Sequence, residues 1–366
     1  PSARRAQKQA HRGGARRLLY EGDELYTAML TSILGARHAV RMESYIFAGD
    51  EIGWQFAQAL VDRAAAGLRV HVHIDAAGTR GRTSRNIQRY MTEGGVDLKR
   101  FHRWSWRWPL RYNRRNHRKL LIIDDEVAFV GGFNIHRESS LRLAGEARWR
   151  DTHAEISGTL VDDATNLFDV FWRGHRRWMP VQGSEGVSSL VSNHTRACRH
   201  RIRCMYSEAF SGARDRIFLT TPYFVPDVIT QQRLIQAARR GVDVRLLVPA
   251  SSDVPITRWA ARALYDALMS AGLRIYEYQP RMLHAKTAVI DGDWATVGTA
   301  NLDYRSLFLN YELVLAIREP GICAELERQF LDDLAESQLI LPASWKRRHW
   351  VGRLLEFVGW TVRRWL

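Results

Sequence analysis

The sequence predicts an α/β fold of two tandem lobes, each a mixed sheet flanked by helices, which are related by a pseudo-two-fold axis and share a site at their interface. Three observations support this prediction. Residues 117–134 and 284–301 share one spacing of His, Lys, Asp and Asn. Segments with strand and helix patterns alternate around each copy, as in sheets covered by helices. Landmarks also recur at a nearly constant offset, 174 residues between Gly67 and Gly241, as internal duplication requires.

Hydrophobic periodicity predicts the elements of both halves in the same order. In the first half it predicts helices over 24–34, 53–66 and 84–92 and strands over 39–46, 68–74 and 96–101. In the second half it predicts helices over 229–239 and 256–270 and strands over 216–219, 242–248 and 273–278. The chain therefore divides into a basic arm (1–18), a first lobe (19–180), a Gly/Ser-rich linker (181–189), a second lobe (190–344) and a tail (345–366).

The composition favours an anionic partner. The formal net charge is +15 in 366 residues, which suits nucleic acid, an acidic membrane surface or a phosphorylated substrate. The three cysteines, Cys198, Cys204 and Cys323, have no metal-type spacing and are interpreted as free thiols in a reducing compartment. No run of 18 apolar residues occurs, so no helix is expected to span a bilayer.

Three segments outside the repeat are rich in basic residues. The arm 1–18 is expected to be a solvated terminus, with an electrostatic tether to an acidic surface as the alternative. In segment 103–112, Trp and Arg alternate, and membrane contact is one of two open interpretations for this loop. The tail 345–366 has the spacing of an amphipathic helix with Trp and Arg, which suits the membrane interface, although packing on the protein's own core would give the same pattern.

The repeated stretch carries residues for chemistry on a phosphate. Residues two apart on a strand point to the same face, so His117 shares a face with Lys119, as His284 does with Lys286. Lys is kept at both places although nearly all other basic residues are Arg, which suits a compact point charge beside a phosphate. One His can attack phosphorus and form a phosphohistidine, and the other can protonate the leaving group and deprotonate the acceptor.

The remaining repeated positions have different expected roles. Asp124 and Asp291 have the opposite parity and are expected to brace the strand ends rather than touch the reacting atom. The turns that follow offer backbone N–H groups and the amides of Asn134 and Asn301 for phosphate binding. No metal or other cofactor is expected, because the two Lys and two Asn residues can balance the charge of the phosphate.

The two intact His-Lys-Asp motifs resemble those of the phospholipase D superfamily, and the resemblance extends over about residues 20–345. Segments 43–53, 149–153, 221–224 and 298–312 are similar to bacterial cardiolipin synthases, in particular to the short type without membrane-spanning helices. The resemblance implies two tandem phospholipase D-like α/β lobes with ping-pong transfer through a phosphohistidine. It also implies that His117 is the nucleophile and His284 the general acid and base.

The resemblance further implies that a carboxylate after each copy orients the His of that copy, and Asp151 and Glu312 match those positions. A carboxylate that holds the Nδ1 proton leaves Nε2 free to attack. An exposed surface carboxylate is the alternative for each. Thr299 stands where the first copy has Gly132, and its hydroxyl is expected to bind the phosphate, which would make the two halves unequal.

The leading hypothesis is a phosphatidyltransferase of the cardiolipin synthase type, which would move a phosphatidyl group from phosphatidylglycerol to a second phospholipid and release glycerol. Such an enzyme would be a peripheral protein on an anionic phospholipid surface, at the cytoplasmic face of the bacterial inner membrane. A phospholipase D-type hydrolase or transphosphatidylase is one alternative, because the motif does not choose the acceptor. A phosphodiesterase acting on nucleic acid is another, although basic residues beside Trp in an amphipathic tail are not the pattern of a base-stacking groove, so no nucleic acid partner is expected.

Overall fold

The computed structural model describes residues 14–79, 81–102, 113–179 and 188–365. The predictions made for residues 1–13, for the Trp/Arg segment 103–112 and for 181–187 of the linker lie outside the described residues. Within the described ranges the chain forms two lobes, each built on one large mixed sheet.

The first lobe holds a seven-stranded sheet. Its strands are β1 (Gly14–Leu19), β2 (Ala39–Ser44), β3 (Arg69–Asp75), β4 (Asp97–Phe101), β5 (Leu120–Ile123), β6 (Val127–Gly131) and β7 (His153–Ser157). Its helices are α1 (Gly22–Leu34), α2 (Glu51–Ala65), α3 (Arg82–Glu93), α4 (Leu141–Ala144) and α5 (Thr159–Trp172). The strand order is β1-β7-β6-β5-β2-β3-β4, in which β2, β3 and β4 are parallel and the others antiparallel.

The second lobe repeats this arrangement and adds one edge strand. Its strands are β8 (Ser188–Ser192), β9 (Arg216–Thr220), β10 (Phe224–Val225), β11 (Asp243–Pro249), β12 (Arg274–Tyr278), β13 (Thr287–Ile290), β14 (Trp294–Gly298), β15 (Leu302–Asp303), β16 (Leu313–Ile317) and β17 (Ser337–Leu339). Its helices are α6 (Arg201–Gly212), α7 (Val228–Arg239), α8 (Pro255–Arg262), α9 (Tyr265–Ser270), α10 (Pro320–Ala335), α11 (Pro342–Lys346) and α12 (Trp350–Thr361). The large sheet has the order β17-β12-β11-β9-β13-β14-β16-β8, so the predicted duplication of the fold is confirmed.

The apolar residues of the two sheets form three main clusters. One cluster fills the first lobe and a second fills the outer part of the second lobe. A third cluster belongs to both lobes and includes Leu120 and Ile122 of β5 together with Val289 of β13 and Leu315 of β16. This shared core fixes the two lobes against each other, and it places the two segments that precede β5 and β13 at the lobe interface.

Local chemistry explains where several helices begin. The Asp50 carboxylate accepts a hydrogen bond of 2.9 Å from the Gly53 N–H and caps α2. Asp227 caps α7 in the same way through the N–H of Ile229, at 3.1 Å. The predicted helix over 256–270 is two helices, because α8 ends at Arg262 and the chain turns Leu264 and Tyr265 into the core of the second lobe.

The predicted boundary of the basic arm is wrong. Residues 14–18 were assigned to a solvated arm, but Gly14–Leu19 is the edge strand β1, which pairs antiparallel with β7. The end of the linker is wrong for the same reason, since β8 begins at Ser188 and pairs with β16. β1 and β8 occupy matching places in the two sheets, so each lobe starts with an edge strand whose partner lies more than a hundred residues further along the chain.

The boundary of the tail also needs correction. Trp345 is buried in the core of the second lobe, where its ring lies 5.0 Å from that of Tyr265. The guanidinium groups of Arg262 and Arg348 lie over the same ring, at 4.5 and 4.3 Å from its centroid. The tail is therefore joined to the lobe through a packed Trp before α12 begins. Across the described residues, no helix has the length and apolar character that crossing a bilayer demands.

Candidate active site at the lobe interface

His117 lies just before β5 and is held by the second lobe. Its N–H donates to the carbonyl of Tyr311, at 2.9 Å. Its Nδ1 atom lies 3.0 Å from Oε2 of Glu312. The ring of Tyr45 packs edge-on against the imidazole with 4.8 Å between centroids. The backbone and one ring nitrogen are thus fixed, and Nε2 is the nitrogen left for chemistry.

His284 lies just before β13 and is held by the first lobe in the same way. Its N–H donates to the carbonyl of Arg150, at 2.7 Å. Its Nδ1 atom lies 2.5 Å from Oδ2 of Asp151. The ring of Trp149 lies 5.1 Å from the imidazole. Both histidines therefore have one aromatic neighbour and one carboxylate partner.

The carboxylates cross between the lobes, which corrects the prediction that each would serve the His of its own copy. Short parallel bridges pair Asn116 with Tyr311 and Arg150 with Leu283. Each bridge joins the residue before a motif His to the residue before the carboxylate of the other lobe. The carboxylate that follows copy one in the sequence thus reaches the His of copy two, and the reverse also holds.

The motif aspartates do not face the histidines. Asp124 and Asp291 begin the hairpin turns after β5 and β13 with φ of 53° each. The Asp124 carboxylate accepts the backbone N–H groups of residues 37, 38 and 39 at 2.8 to 2.9 Å. Asp291 accepts those of residues 214, 215 and 216 at 2.8 to 3.0 Å. Burial raises the pKa of each carboxyl, but the three backbone donors outweigh it and hold the pKa below its usual value. Each Asp ties its hairpin to the start of the neighbouring strand.

The two motif lysines are buried close to each other. Lys119 Nζ donates to the carbonyl of His117, at 2.9 Å, and Lys286 Nζ lies 3.0 Å from Nε2 of His284. Burial, together with the charge of Lys286, lowers the pKa of Lys119 to about 7. Burial also lowers the pKa of Lys286, although Asp151 opposes this. Two buried lysine side chains at one place form a site for an anion, since a bound anion stabilises the charged form of both.

Burial keeps both histidines neutral at pH 7. Burial lowers the pKa of His117, against the opposing charge of Glu312. Burial, with Lys286, lowers the pKa of His284 to about 3. The carboxyl groups of Asp151 and Glu312 are also buried, which raises their pKa, but neighbouring cations hold both below their usual values. A carboxylate paired with a neutral imidazole accepts a hydrogen bond from Nδ1–H and leaves the lone pair on Nε2.

Thr299 and Gly132 occupy matching places but serve different ends. The Thr299 hydroxyl donates to Oε2 of Glu312 at 2.5 Å and accepts the N–H of Leu313 at 2.9 Å. It is fully buried and holds the carboxylate, so the structure gives it a partner other than the predicted phosphate. A Cβ at Gly132 would lie 2.0 Å from Oδ1 of Asp151. Gly is therefore required at position 132, because the carboxylate of Asp151, whose side chain is shorter than that of Glu312, occupies the space that a side chain would need.

The two predicted phosphate-binding amides follow the motif strands. Asn134 is buried, and its Oδ1 atom accepts the N–H of Ile46 at 3.2 Å. Oδ1 of Asn301 is buried and finds no hydrogen-bond partner among the described residues. Asn134 is thus partly committed to the fold, whereas the Asn301 side chain keeps hydrogen-bonding capacity.

Sequence reasoning assigned no role to three side chains around the histidines. Tyr45 and Trp149 pack against the two rings, and Asn310 donates to Oε1 of Glu312 at 3.3 Å. These residues lie in segments quoted for the family resemblance, but no local spacing links them to a histidine. Only the packing of the lobes brings them there. Within the described ranges, no group of three or more His, Cys, Asp or Glu side chains is placed to hold a metal ion.

Comparison with known proteins gives the family of the chain. The family model described as cardiolipin synthase, PLD-like domain, matches residues 29–172 and 206–334. The chain belongs to this cardiolipin synthase family of phospholipase D-like proteins. Two family members named cardiolipin synthase illustrate the similarity. One from Clostridium perfringens strain SM101 is 34% identical over 361 residues, which cover 93% of this chain and 75% of the relative. A cardiolipin synthase A from Pseudomonas aeruginosa strain PAO1 is 35% identical over 335 residues, covering 89% and 68%.

Solved structures support the same fold. The phosphatidylserine synthase of Haemophilus influenzae Rd KW20 superposes with a TM-score of 0.73 at 14% identity and covers the full length of both chains. A polyphosphate kinase from Porphyromonas gingivalis superposes with a TM-score of 0.61 at 14% identity, over 87% of this chain and 50% of the kinase. The two-lobed architecture of the family is therefore shared by proteins whose names give different activities.

Proposed function

We propose that the protein transfers a phosphatidyl group from phosphatidylglycerol to a hydroxyl of a second phosphatidylglycerol and so makes cardiolipin. The observation that carries this proposal is the pair of neutral histidines, each held at Nδ1 by a carboxylate of the opposite lobe beside two buried lysines. This arrangement suits a negatively charged phosphodiester, and the description of the family as cardiolipin synthase supplies the lipid class.

In the first step Nε2 of His117 attacks phosphorus and forms a P–N bond, while the P–O bond to glycerol breaks. Glu312 stabilises the positive charge that develops on the imidazole. A bound phosphodiester anion raises the pKa of His284, because it opposes the charge of Lys286, so His284 takes up one proton from solvent when the substrate binds. His284 gives this proton to the leaving glycerol oxygen as the P–O bond breaks. The lysines balance the negative charge on the phosphoryl oxygens.

In the second step a hydroxyl of the acceptor lipid enters where glycerol left. His284, now neutral, takes its proton as the oxygen attacks phosphorus and the P–N bond breaks. His117 returns to its starting state, so the two half-reactions need no other reactant. Water would give phosphatidic acid at this step, and a cleft filled by lipid headgroups favours transfer by limiting access of water.

The proposed place of action is an anionic phospholipid surface, with the protein peripheral at the cytoplasmic face of the bacterial inner membrane. Both substrates reside in a bilayer, and the net charge of +15 favours binding to acidic lipid headgroups. Nucleic acid is the other polyanion that a charge of +15 would suit, and it is the substrate of the alternative function.

The deciding experiment incubates the protein with phosphatidylglycerol vesicles and identifies the products by mass. Cardiolipin and free glycerol are expected. Phosphatidic acid alone would replace the proposal by a hydrolase, and the absence of any lipid product, with cleavage of single-stranded DNA, would replace it by a nuclease. His117→Ala is expected to abolish both turnover and the acid-labile phosphoenzyme, and a phosphoenzyme that persists in this variant would assign the nucleophile to His284.

A further inference from the structure

We propose that the outward face of α12 docks on an anionic bilayer and turns the site toward the lipid. The proposal rests on the proposed function for the choice of a lipid partner and adds the surface that meets it. Large apolar side chains are concentrated on this helix and just beyond it. Of the fifteen exposed large apolar residues in the described chain, six lie between residues 350 and 365: Trp350, Val351, Leu354, Phe357, Val358 and Trp365.

The exposed residues share one face of the helix. At 3.6 residues per turn, positions 350, 351, 354, 357 and 358 fall within an arc of about 120°. Trp350 is 68% exposed and Phe357 is 64% exposed, so this face has no cover within the described chain. A contiguous apolar face that is exposed on a protein surface is typical of an interaction site.

The opposite face of α12 fastens the helix to the protein. Glu356 is buried and pairs with Arg348, at 2.7 Å, and with Arg262 of α8, at 3.7 Å. Gly359 lies directly on α8, where an added Cβ would be 2.5 Å from the N atom of Ala260. The inward face of α12 therefore carries a buried carboxylate, a glycine and the partly buried Trp360, whereas its exposed large apolar residues lie on the outward face.

The charges beside this face select an anionic bilayer. Lys346, Arg347, Arg353 and Arg364 are exposed. The acidic residue of the segment 345–366, Glu356, is buried against two arginines. Trp with Arg suits the headgroup layer, and each basic side chain near an acidic membrane adds attraction. A second copy of this chain would bring the same positive charges together, so like-charge repulsion disfavours a dimer through this face.

The chain just beyond α12 is joined by hydrogen bonds to the segment that leads into His117. Arg305 donates to the carbonyl of Trp365 at 3.4 Å and to Oδ1 and the carbonyl of Asn113 at 2.8 and 2.7 Å. Asn113 stands four residues before His117 along the chain. A bilayer that holds the face of α12 would therefore lie next to the segment that leads into His117.

The test measures partition of the full chain onto vesicles by flotation. We compare the double variant Leu354→Ser/Phe357→Ser with Leu34→Ser, which replaces a similarly exposed leucine at the end of α1. The double variant is expected to bind phosphatidylglycerol vesicles at least tenfold more weakly, and Leu34→Ser to bind as the parent does. All the substituted side chains are exposed, and equal unfolding midpoints verify that the fold is kept. Equal binding by the double variant would overturn the proposal.

Charge is tested separately. Arg353→Gln/Arg364→Gln should weaken binding to phosphatidylglycerol vesicles and flatten its salt dependence, whereas Arg328→Gln, an exposed position on α10, should not. Binding of the parent to phosphatidylcholine vesicles that equals its binding to phosphatidylglycerol would overturn the choice of an anionic surface. A parent dimer in sedimentation that becomes a monomer in the apolar double variant would assign the face to a second copy instead.

A separate readout distinguishes failure of this inference from failure of the proposed function. Turnover of dispersed short-chain phosphatidylglycerol, which needs no bilayer, is expected to be the same in the parent and in Leu354→Ser/Phe357→Ser. Loss of vesicle binding with retained short-chain turnover supports the docking surface. Tight, α12-dependent binding by a parent that makes no cardiolipin would overturn the function but keep the docking surface.

Discussion

The Nδ1 atom of His117 lies 3.0 Å from Oε2 of Glu312, which belongs to the other lobe. The matching pair, His284 and Asp151, spans the interface in the opposite direction at 2.5 Å. Each lobe therefore supplies one histidine and the carboxylate that orients the histidine of its partner lobe. Neither lobe holds a complete histidine–carboxylate pair, so displacement of the lobes would impair both.

The crossed pairing makes a kinetic prediction for Glu312→Gln and Asp151→Asn. Each variant is expected to lose activity by about 10²–10⁴-fold, because the His loses the charge that orients and stabilises it. A phosphatidyl ester of p-nitrophenol has a leaving group that needs no proton. With this substrate Asp151→Asn should regain fast phosphoenzyme formation, since only the acid His284 is impaired. Glu312→Gln should remain slow, since its nucleophile is impaired.

The opposite pattern, with rescue of Glu312→Gln but not of Asp151→Asn, would contradict the crossed assignment of roles. Rapid-quench measurement of the phosphoenzyme separates the two cases. Unfolding midpoints serve as the control, because both carboxylates are buried and a destabilised variant would lose activity with either substrate.

The asymmetry between Gly132 and Thr299 makes a second prediction. In Gly132→Ala the new methyl group would meet Oδ1 of Asp151 at 2.0 Å, so the carboxylate must move away from His284. We expect a loss of activity at least as large as that of Asp151→Asn, and overpacking that destabilises the fold by about 1–3 kcal/mol.

Gly321→Ala is the matched control, because an added Cβ there meets no heavy atom within 4 Å and the residue lies in α10. It should retain full activity and gain up to about 1 kcal/mol of stability from helix propensity. Normal activity of Gly132→Ala in the p-nitrophenyl ester assay would agree with damage to the acid alone. Normal activity with phosphatidylglycerol would refute the steric argument.

Sequence periodicity predicted the order of elements because each helix or strand pattern is local. The boundaries of β3, α2 and α7 agree with the prediction to within two residues. The edge strands β1 and β8 were missed, since Gly14–Leu19 reads as part of a basic arm and only the distant β7 supplies its partner. The crossed carboxylates could not be predicted either. Parity within one strand says which side chains share a face, but only the docking of the lobes decides which His meets which carboxylate.

The motif aspartates are predicted to stabilise the fold rather than to take part in the reaction. Asp124→Asn and Asp291→Asn each keep one acceptor oxygen but lose the charge that three backbone N–H groups share. We expect each to lower the free energy of unfolding by about 1–2 kcal/mol, measured by urea denaturation. Asp332→Asn, an exposed position on α10, is the control and should change it by less than about 0.5 kcal/mol. Unchanged stability of Asp124→Asn with total loss of activity would instead place Asp124 among the reacting groups.

Stability is predicted to fall in mild acid because buried histidines are neutral in the folded chain. Burial lowers the pKa of both His153 and His284 from 6.5 to about 3. His153 is fully buried, and its Nδ1 atom accepts the N–H of Phe133 at 3.3 Å, which a protonated ring would not allow. Above pH 6.5 these rings are neutral in both the folded and the unfolded chain and do not change the free energy of unfolding with pH. As the pH falls from about 6.5 toward 4, the unfolded chain binds protons that the folded chain refuses, so stability is lost.

The slope of this loss approaches about 1.4 kcal/mol per pH unit for each such histidine between about pH 5.5 and 4. Urea denaturation at a series of pH values measures it directly. His153→Gln keeps an acceptor for the Phe133 N–H but cannot titrate. The slope of its unfolding free energy against pH should therefore be smaller than that of the parent by the contribution of one proton, about 1.4 kcal/mol per pH unit. The lowered pKa values of Asp151 and Glu312 add a further loss only at lower pH, when those carboxylates must be protonated. An equal slope in the parent and in His153→Gln would mean that His153 already binds its proton in the folded chain.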